Sequence, residues 1–552
     1  MEETTPTHSP PFRTPGRAAA QAFPGPAGDT PRPSAAGRPP LRPVAVIDIG
    51  VSSIRMAIAE LGGDRSVRML DTLIQAVDLG RDVFDTRKLR RSSIERAAEV
   101  LSEYRQIALQ YGVRIADDVR VVATTAVREA SNALAFTDRI FVATGLVVES
   151  IDEAEVNRMT YSAVLPHLRE HPKLADGKNV VVEVGGGTTE MIVIRSGNIL
   201  HSESYRLGSL RSLRKLERYR SGSAKRRAML RSQITKTLMP MIDTIRRDTA
   251  IELVALGGDV RFAARQLLDN WDGHSLAKVS AKKLSRFSQR VLTLDTDGIA
   301  KRYGASFLEA ETLGPALLVY QMLAEEFSLS HIYVCDTNLR VGLLQDLSRR
   351  GSWTPDFRNQ IVRSALQLGR RFGFDESHAR NVAELSRRLF EELTDLHELD
   401  SRHEVLLFVA ALLHEIGMSV NIRSNHKHAL YLIRNSDVFG LSREDLLLVG
   451  LVARYHRRAY PQPSHEGFAT LPLSQRVLVA KLASILRLAI ALDDRRTGRI
   501  RDLRCQSQDG RLTILVSGID DVSLEQVAMG ENSGLFRDVF GMSVSLNNPS
   551  EH

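Results

Sequence analysis

Short apolar runs rich in β-branched residues alternate with longer stretches of helical spacing over the first 350 residues. Two pairs of short runs stand out, 45–49 with 54–59 and 180–184 with 191–194, because a glycine-led turn separates the members of each pair. Apolar runs on either side of a glycine turn predict β-hairpins. We therefore expect the same hairpin unit at two places in the chain.

The two hairpins share polar residues as well as the apolar pattern. Each first strand carries a carboxylate, Asp48 or Glu183, followed by one apolar residue and a glycine, and each turn contains two hydroxyl residues. A repeated hairpin with an acid, a glycine and hydroxyls favours a duplicated α/β domain with a phosphate cleft between its halves. The alternative is a pair of unrelated hairpins.

The turn residues are suited to phosphate. Glycine lets a backbone approach a ligand closely, and successive N–H groups in a turn can point at phosphate oxygens. Glu183 ends one strand and Glu190 begins the next, so these carboxylates could hold a hydrated metal ion beside the turn. The phosphate-binding residues predicted from the two turns are Gly50, Ser52, Ser53, Gly185, Gly186, Gly187 and Thr188.

The remaining pattern completes an alternation of strands and helices. Apolar residues over 92–111 have the spacing of an amphipathic helix. Strands are predicted at 67–77, 119–123, 147–151, 251–256 and 331–334. Such an alternation predicts an α/β fold with sheets covered by helices.

Two charged features follow the predicted strands. Arg128 stands at the start of the helix after strand 119–123, where it either faces an anion or forms a surface ion pair. The acidic residues at 152–155 follow strand 147–151. That position suits catalytic groups of an open α/β sheet, and it equally suits the acidic first turn that a helix dipole favours.

Composition narrows the class of protein. A chain of 552 residues predicts two to four domains, and a net charge of +8 favours polyanionic partners. Two cysteines, Cys335 and Cys505, exclude a disulfide framework and suit the cytoplasm, and no secretory signal or membrane-length apolar run is present. Residues 1–43 are rich in Pro, Gly, Ala, Ser and Thr, which predicts a disordered tail.

A basic stretch at 211–236 holds ten Lys or Arg residues and one acid, Glu217. Like charges at this density repel one another on a helix, so a polyanion would stabilise them. The alternative is a solvated helix face.

Four further segments accompany the hairpins in a fixed order. They are Ala-Thr-Thr-Ala-Val-Arg-Glu-Ala-Ser-Asn at 123–132, Arg-Leu-Gly at 206–208, Leu-Gly-Gly at 256–258 and Asp-Thr-Asn-Leu-Arg-Val-Gly at 336–342. Together these motifs resemble the exopolyphosphatase and guanosine pentaphosphate phosphatase (Ppx/GppA) family. The resemblance extends from about residue 44 to beyond residue 494.

The resemblance implies an architecture. The fold is expected to be the duplicated actin-like ATPase fold shared with sugar kinases, chaperones and actin, with half-domains at 44–145 and 146–350. A mostly helical domain resembling the HD superfamily is expected at 351–498, and a small C-terminal segment at 499–552. Family members are often dimers, so a homodimer is expected.

The resemblance also implies an activity and a site. Members release terminal phosphate from polyphosphate, or from guanosine pentaphosphate, with water as nucleophile, which requires a phosphate cradle, a cation and a carboxylate near the water. Asp48, Glu183 and Glu190 would hold Mg²⁺. The candidate catalytic carboxylates are Glu153, Glu155, Glu183 and Glu190, and the additional phosphate-binding residues are Arg128, Gly257, Gly258 and Arg340.

The helical region carries histidines in an order that resembles the HD superfamily, whose metal hydrolases use His, a His-Asp pair and a later Asp. Here the pair is His414-Glu415, and long members of the Ppx/GppA family carry an HD-like domain without its metal. Basic residues of this region instead predict a wall that binds polyphosphate. Its members are Arg423, His426, Lys427, Arg454, His456 and Arg457.

The chain departs from the family pattern at four positions. Val51 stands where the family usually has Ser, Glu183 where it has Asp, and Asp259 where it has Thr. Alignment on the following Arg158 places Val156 where the family has its expected catalytic glutamate. Valine cannot accept a proton, so Glu155 or Glu153 would have to replace it.

Two hypotheses of different classes follow. The first is a hydrolase of polyphosphate or guanosine pentaphosphate. The second is a catalytically weakened member that binds polyphosphate or a guanosine nucleotide and signals.

Overall fold

The computed structural model describes residues 41–219, 223–245, 250–349, 353–457, 459–519 and 521–548. The predicted disordered tail lies almost entirely outside the described residues, and so do Arg220 of the basic stretch and Arg458. The chain divides into two compact units, residues 1–351 and 352–552.

The first unit alternates strands and helices. Its strands are β1 (Arg42–Ile49), β2 (Ser53–Leu61), β3 (Val67–Ala76), β4 (Val119–Ala123), β5 (Val148–Ser150), β6 (Lys178–Val184), β7 (Thr189–Arg195), β8 (Asn198–Tyr205), β9 (Ile251–Leu256), β10 (Ala277–Ser280) and β11 (His331–Val334). The strands predicted from apolar runs therefore form, although strand β5 is two residues shorter than predicted.

The helices of the first unit fall between and after these strands. They are α1 (Leu79–Thr86), α2 (Arg91–Gln110), α3 (Ile115–Asp118), α4 (Thr125–Glu129), α5 (Ala133–Thr144), α6 (Glu153–Glu170), α7 (Pro172–Ala175), α8 (Ser209–Glu217), α9 (Ser223–Ile245), α10 (Gly258–Leu267), α11 (Ala281–Val291), α12 (Thr296–Tyr303), α13 (Phe307–Glu326) and α14 (Leu339–Ser348).

The two sheets of this unit repeat one topology. The first has strand order β3-β2-β1-β4-β5, and the second has order β8-β7-β6-β9-β11-β10. In each sheet three strands form an antiparallel meander, and the first of them pairs in parallel with the strand that follows the next helices. The second sheet adds β10 as an antiparallel edge strand. This repetition is what the two similar hairpins predicted.

Helices bury both faces of the first sheet. Residues of α2 and α5 form one core cluster with it, whereas Val44, Val46 and Ala57 pack on the other face with Met159 of α6 and Leu343 of α14. Since α6 and α14 come from residues after 145, the first lobe takes in β5 and parts of the predicted second half-domain. The order of the elements along the chain did not indicate that the first lobe includes these later elements.

The second unit is mostly helical. Its elements are α15 (Pro355–Arg371), α16 (Glu376–Glu392), α17 (Thr394–His397), α18 (Ser401–Leu413), a 3₁₀ turn (Ile416–Ser419), α19 (Asn425–Arg434), α20 (Arg443–Arg454), α21 (Leu473–Leu492), β12 (Leu503–Gln508), β13 (Arg511–Val516), α22 (Ser523–Asn532), α23 (Gly534–Phe540) and β14 (Ser543–Asn547). The three strands form one sheet in the order β12-β13-β14. Helices α22 and α23 were not predicted.

Among the described residues, no helix combines the length and the apolar character that crossing a lipid bilayer requires.

Candidate functional site

The two hairpin turns have the same hydrogen-bonded geometry. The Gly50 N–H donates to the Ser53 carbonyl at 3.0 Å, and the Gly185 N–H donates to the Thr188 carbonyl at 2.9 Å. The two short turns thus present their backbones in equivalent ways. Both turns line the same cleft of the first unit.

The carboxylates of the hairpins lie beside these turns. In the second hairpin Glu183 pairs directly with Glu190 across the two strands, and in the first Asp48 pairs with Arg55. Arg55 Nη1 lies 3.5 Å from Asp48 Oδ2. The strand register thereby places three carboxylates and a guanidinium at one edge of the cleft.

Most of the predicted site residues line this single cleft. They are Asp48, Gly50, Ser52, Arg128, Glu153, Glu183, Gly185, Gly186, Gly187, Thr188, Glu190, Gly257 and Gly258, together with Val51, Val156 and Asp259. The residues come from both halves of the first unit, so the cleft lies between the duplicated halves as the repeated hairpins predicted.

The halves approach closely where the turns meet. A Cβ added at Gly187 would lie 2.7 Å from Thr125 Cγ2, and one added at Gly186 would lie 2.2 Å from Val51 Cγ2. Thr125 Oγ1 lies 3.4 Å from Thr188 Oγ1. Only glycine fits at positions 186 and 187 with the present neighbours.

Burial changes the pKa values of the two facing glutamates. Burial, together with the charge of Glu183, raises the pKa of Glu190 to about 7, although a hydrogen bond from Thr188 lowers it in part. Burial also raises the pKa of Glu183. Two carboxylates in direct apposition, one buried and one half-buried, repel each other, and a cation between them would relieve this repulsion.

The donor set suits a hard divalent cation. Asp48, Glu183 and Glu190 offer only oxygen ligands, and the cleft contains no cysteine or histidine among its lining residues. Mg²⁺ prefers such carboxylate oxygens and keeps several waters. The chemical type of these three donors therefore suits Mg²⁺, and magnesium in this cleft stays a prediction.

Arg128 is both a cleft residue and part of an ion pair. Its guanidinium donates to Glu153 Oε1 at 2.8 Å and to the Ile151 carbonyl at 2.9 Å. The ion pair proposed for this arginine is therefore confirmed, whereas its contact with an anion stays a prediction. The pair holds Glu153, the first residue of α6, at the cleft wall.

Glu155 does not line the cleft. Its Oε1 accepts hydrogen bonds from Arg120 at 3.1 Å and from Arg158 at 3.2 Å, and both arginines also bond Asp346. On an α-helix, residues two positions apart point in different directions. Glu153 therefore faces the cleft whereas Glu155 belongs to an ion network elsewhere.

Two predicted phosphate ligands, Ser53 and Arg340, do not line the cleft. Ser53 is fully buried in β2, and Arg340 is buried with its Nη1 3.6 Å from Asp48 Oδ2. Burial, and then the neighbouring Arg55, lower the pKa of Arg340 to about 10. Arg340 thus lies beside the cleft residue Asp48 but not in the cleft lining.

Sequence reasoning missed several cleft residues. The lining also includes Arg55, Ser209, Glu309 and Thr312. Arg55 could have been found, because the short turn of residues 50–52 between β1 and β2 fixes its register with Asp48. Nothing local identifies Glu309 and Thr312, which reach the cleft only because α13 packs there.

Models of known families match this chain over most of its length. The Ppx/GppA phosphatase family matches residues 56–350, and Ppx/GppA phosphatase, domain III, matches residues 362–528. The chain belongs to the Ppx/GppA phosphatase family. The resemblance stated from the motifs is therefore confirmed.

Curated relatives cover nearly the whole chain. The guanosine-5'-triphosphate,3'-diphosphate pyrophosphatase of Vibrio vulnificus is 24% identical over 496 residues, which is 88% of this chain and 93% of the relative. The protein of the same name from Vibrio campbellii is 24% identical over 473 residues, 84% of this chain and 89% of the relative.

A solved structure confirms the fold class. The crystal structure of an exopolyphosphatase from Cytophaga hutchinsonii matches with a TM-score of 0.50 and 20% identity, covering 56% of this chain and 98% of that one. Family members have the actin-like ATPase fold, and the predicted duplicated α/β architecture followed by a helical region is confirmed.

Asp259, one of the departures from the Ppx/GppA pattern, is half-buried near the start of α10. Its Oδ1 accepts a hydrogen bond from Thr312 at 2.8 Å. Burial raises the pKa of Asp259 to about 6 despite this bond. The residue adds a carboxylate to the wall of the cleft.

The basic residues predicted in the second unit lie in or next to α19 and α20. Arg423, Lys427 and Arg457 are exposed. Burial, and then the charges of Arg454 and Lys427, lower the pKa of His426, so these groups lie close together.

His456 does not lie on this exposed surface, so its prediction as a polyphosphate ligand is wrong. It is buried, its Nδ1 lies 2.6 Å from the Ala453 carbonyl, and burial holds its pKa well below the usual value. A neutral, buried imidazole is not part of an exposed polyphosphate-binding wall.

The basic stretch at 211–236 is split between α8 and α9. Arg211 is held within the first unit, where it bonds the Gly187 carbonyl at 2.7 Å and Glu129 at 2.8 Å. Lys225 and Arg226 are exposed on α9. The stretch is therefore not one continuous solvated face.

Proposed function

We propose that this chain is a phosphohydrolase that releases terminal phosphate from polyphosphate or guanosine pentaphosphate in the cleft between its duplicated halves. One observation carries the proposal: both glycine turns and the carboxylates Asp48, Glu183 and Glu190 line a single cleft. Glycine backbone beside clustered carboxylates matches the needs of phosphoryl transfer, which depends mainly on positioning and charge.

Membership of the Ppx/GppA family supports a phosphate ester or anhydride as the reacting group. The two Vibrio relatives are named for a guanosine pentaphosphate substrate, and the Cytophaga structure is named an exopolyphosphatase. We therefore keep both substrates in the proposal.

The chain's own groups would bind the terminal phosphate. Gly185, Gly186 and Gly187 line the cleft with backbone that a phosphate can approach, and Arg55 and Arg128 supply positive charge at the wall. Thr188 adds a hydroxyl beside the turn.

Asp48, Glu183 and Glu190 would hold Mg²⁺, which supplies charge neutralisation for the phosphate oxygens when bound. The buried apposition of the two glutamates supports this role, because without a cation their carboxylates repel each other.

A carboxylate must orient or deprotonate the attacking water. We propose Glu153 for this role, since it lies at the start of α6, lines the cleft and has its carboxylate oriented by Arg128. Glu155 is a weaker candidate because Arg120 and Arg158 already bond its carboxylate away from the cleft.

A second candidate function rests on Val156. This side chain lines the cleft where the family resemblance expects a glutamate. A member without that base would bind polyphosphate or a guanosine nucleotide and turn it over slowly. Loss of a positioned general base costs about 10²–10⁴ in rate.

Turnover and binding measured on the same purified protein decide between these functions. The assay compares long polyphosphate and guanosine pentaphosphate with Mg²⁺, and a filter-binding assay gives the affinity of each. Rapid phosphate release that Glu153→Gln lowers by about 10²-fold or more supports the hydrolase. Tight binding with release no faster than that of Glu153→Gln supports the binding protein.

Absence of both binding and release for both substrates would contradict each candidate. Asp138→Asn is the control for Glu153→Gln, because it also removes one carboxylate but lies on α5 outside the cleft lining. It should leave release and affinity unchanged.

A further inference from the structure

Asp259 places an additional carboxylate beside a predicted phosphate-binding turn. It is the second residue of α10 and directly follows the turn Gly257-Gly258, which lines the same cleft. A Cβ at Gly257 would lie 3.9 Å from Glu183 Cγ, so this turn adjoins the second hairpin. An ionised polyphosphate offers no hydrogen-bond donor, and its charge is repelled by a carboxylate. Asp259 therefore suits a ligand that brings N–H groups as well as phosphate.

Thr312 fixes the direction of this carboxylate. Its Oγ1 donates to Asp259 Oδ1 at 2.8 Å, and Thr312 itself is only 8% exposed. A carboxylate has about four lone-pair positions, so both oxygens of Asp259 can accept further hydrogen bonds. Burial raises the pKa of Asp259 to about 6, which leaves the carboxyl group mostly ionised at neutral pH. Asp259 is thus a held acceptor that can receive two parallel N–H bonds.

The surroundings of Asp259 have room for a planar ring. The neighbouring Gly258 is exposed, and a Cβ at this position would meet no atom of the described residues within 4 Å. Leu308 and Thr312 both line the cleft, and they lie on one face of α13 because they are four residues apart. A purine ring could therefore contact the apolar side chain of Leu308 while its polar edge meets Asp259.

We propose that Asp259 binds the guanine base of a guanosine nucleotide whose phosphates lie against the glycine turns. Guanine carries two adjacent donors, N1–H and the N2 amino group, which can bond the two oxygens of one carboxylate side by side. Adenine has an acceptor next to its donor on the same edge, and that acceptor would face a carboxylate oxygen. The inference rests on the proposed function, and within it favours guanosine pentaphosphate over polyphosphate as the substrate.

The position of Asp259 makes this contact particular to the present chain. Asp259 stands where the family resemblance expects Thr, whose hydroxyl cannot accept two parallel bonds as a carboxylate can. Asp259 is therefore a specificity-determining residue, and it takes no part in the attack on the phosphate.

The first test is calorimetry of the full-length wild type with nucleoside diphosphates and Mg²⁺. Guanosine diphosphate should bind at least about tenfold more tightly than inosine diphosphate, which lacks the amino group, because a hydrogen bond to a charged acceptor is lost. The 1-methyl derivative of guanosine diphosphate lacks N1–H and should be weakened to a similar extent. Adenosine diphosphate should also bind at least about tenfold more weakly.

Asp259→Asn should reverse the base preference. An amide has donors as well as an acceptor, so it suits xanthine, in which a C2 carbonyl replaces the amino group of guanine. We expect guanosine diphosphate to lose at least about tenfold in affinity and xanthosine diphosphate to gain about as much. A structural defect would weaken both nucleotides alike. Asp259→Thr serves as a second variant, and it should bind guanosine and inosine diphosphates equally.

Glu309→Gln is the matched control, because it removes a carboxylate from the lining of the same cleft. Glu309 Oε2 already accepts from the Ser306 N–H at 2.9 Å and from the Ser306 hydroxyl at 2.7 Å, and a glutamine can keep such contacts. The ratio of guanosine to inosine diphosphate affinity should therefore equal that of the wild type.

Phosphate release from long polyphosphate is measured on the same preparations. A wild type that releases phosphate but binds guanosine and inosine diphosphates equally would overturn the guanine subsite and leave the proposed function standing. Absent release, with a guanine preference that Asp259→Asn reverses, would support the subsite and contradict the hydrolase. A wild type that binds no guanosine diphosphate, or an unchanged base preference in both Asp259 variants, would also overturn the assignment.

Discussion

Val51 lies directly against Gly186 where the two hairpin turns meet: a Cβ at position 186 would come 2.2 Å from Val51 Cγ2. One residue belongs to the first hairpin and the other to the second, so this contact joins the halves of the duplicated fold at the cleft. A substitution at either position therefore alters both the space available to phosphate and the packing of the halves.

The variant Gly186→Val should abolish binding of polyphosphate at the cleft, because its side chain would collide with Val51 and displace the two turns from each other. It should also lower the melting temperature, since overpacking of this kind costs about 1–3 kcal/mol. Affinity and melting are measured together. Unchanged values for both would contradict the placement of phosphate between the hairpins.

A double variant separates the two effects. Val51→Ala combined with Gly186→Ala removes the clashing methyl groups and should recover most of the melting temperature while binding stays weak. The control Gly258→Ala lines the same cleft, but its Cβ would meet no atom within 4 Å. It should not change the melting temperature.

Val156→Glu should raise the rate of phosphate release at least about tenfold with little change in KM, because it restores a carboxylate where the cleft has an apolar wall. Steady-state kinetics at saturating Mg²⁺ measure both parameters. An unchanged kcat would mean that the missing glutamate at position 156 does not limit the activation of water.

Glu155→Gln is the companion test. Since Arg120 and Arg158 hold Glu155 outside the cleft lining, this variant should leave kcat nearly unchanged and mainly affect thermal stability. Abolished turnover in Glu155→Gln, with its melting temperature intact, would show that Glu155 reaches the cleft during the reaction.

Asp259→Thr should flatten the dependence of stability on pH between about pH 4 and pH 6. Burial raises the pKa of Asp259 from 3.8 to about 6, so in this window the folded protein binds more protons than the unfolded chain. The contribution of Asp259 to wild-type stability therefore falls as pH rises through the window, and the variant lacks this loss.

At pH 7 the Asp259→Thr variant should be more stable than the wild type by on the order of 1 kcal/mol, after the lost bond to Thr312 is allowed for. Urea unfolding at a series of pH values gives the comparison. Parallel curves for the two proteins would contradict the argument, and so would a difference in favour of the wild type that grows as pH rises over the same range.

Replacing Arg423, Lys427 and Arg457 with Gln should weaken binding of long polyphosphate far more than binding of triphosphate. All three charges are exposed in the second unit, Lys427 and Arg457 lie near His426, and only a long chain can contact several such charges at once. The difference should shrink as salt rises, because exposed charges are screened over about 8 Å at physiological ionic strength.

The control for this triple variant carries the same change in charge elsewhere. Arg501, Arg504 and Arg511 are exposed in the C-terminal part of the second unit, and their replacement with Gln should affect both substrates equally and weakly. Equal losses for the two triple variants would mean that only net charge attracts the polyanion.

The sequence by itself determined the elements and the repeat. Strands β1, β2, β6 and β7 follow from β-branched runs around glycine turns, because such runs have one favourable pairing when a short turn joins them. The register that sets Glu183 opposite Glu190 follows from the same local pattern. Family membership also followed from the sequence, since it rests on short motifs in a fixed order.

Only the tertiary structure decided which charged groups face the cleft. Glu153 and Glu155 are two residues apart on α6, and the packing of that helix against α14 turns one toward the cleft and the other toward Arg120, Arg158 and Asp346. Helical periodicity gives the angle between two side chains but not the direction in which the helix is rotated.

Long-range packing also brings together groups that no local sequence pattern predicts. Glu309 and Thr312 reach the cleft wall through α13, and His378, His414 and His456 meet although their helices are far apart in the chain. A sequence pattern reports neighbours along one strand or helix, whereas these contacts depend on how buried apolar faces fit together across the whole unit.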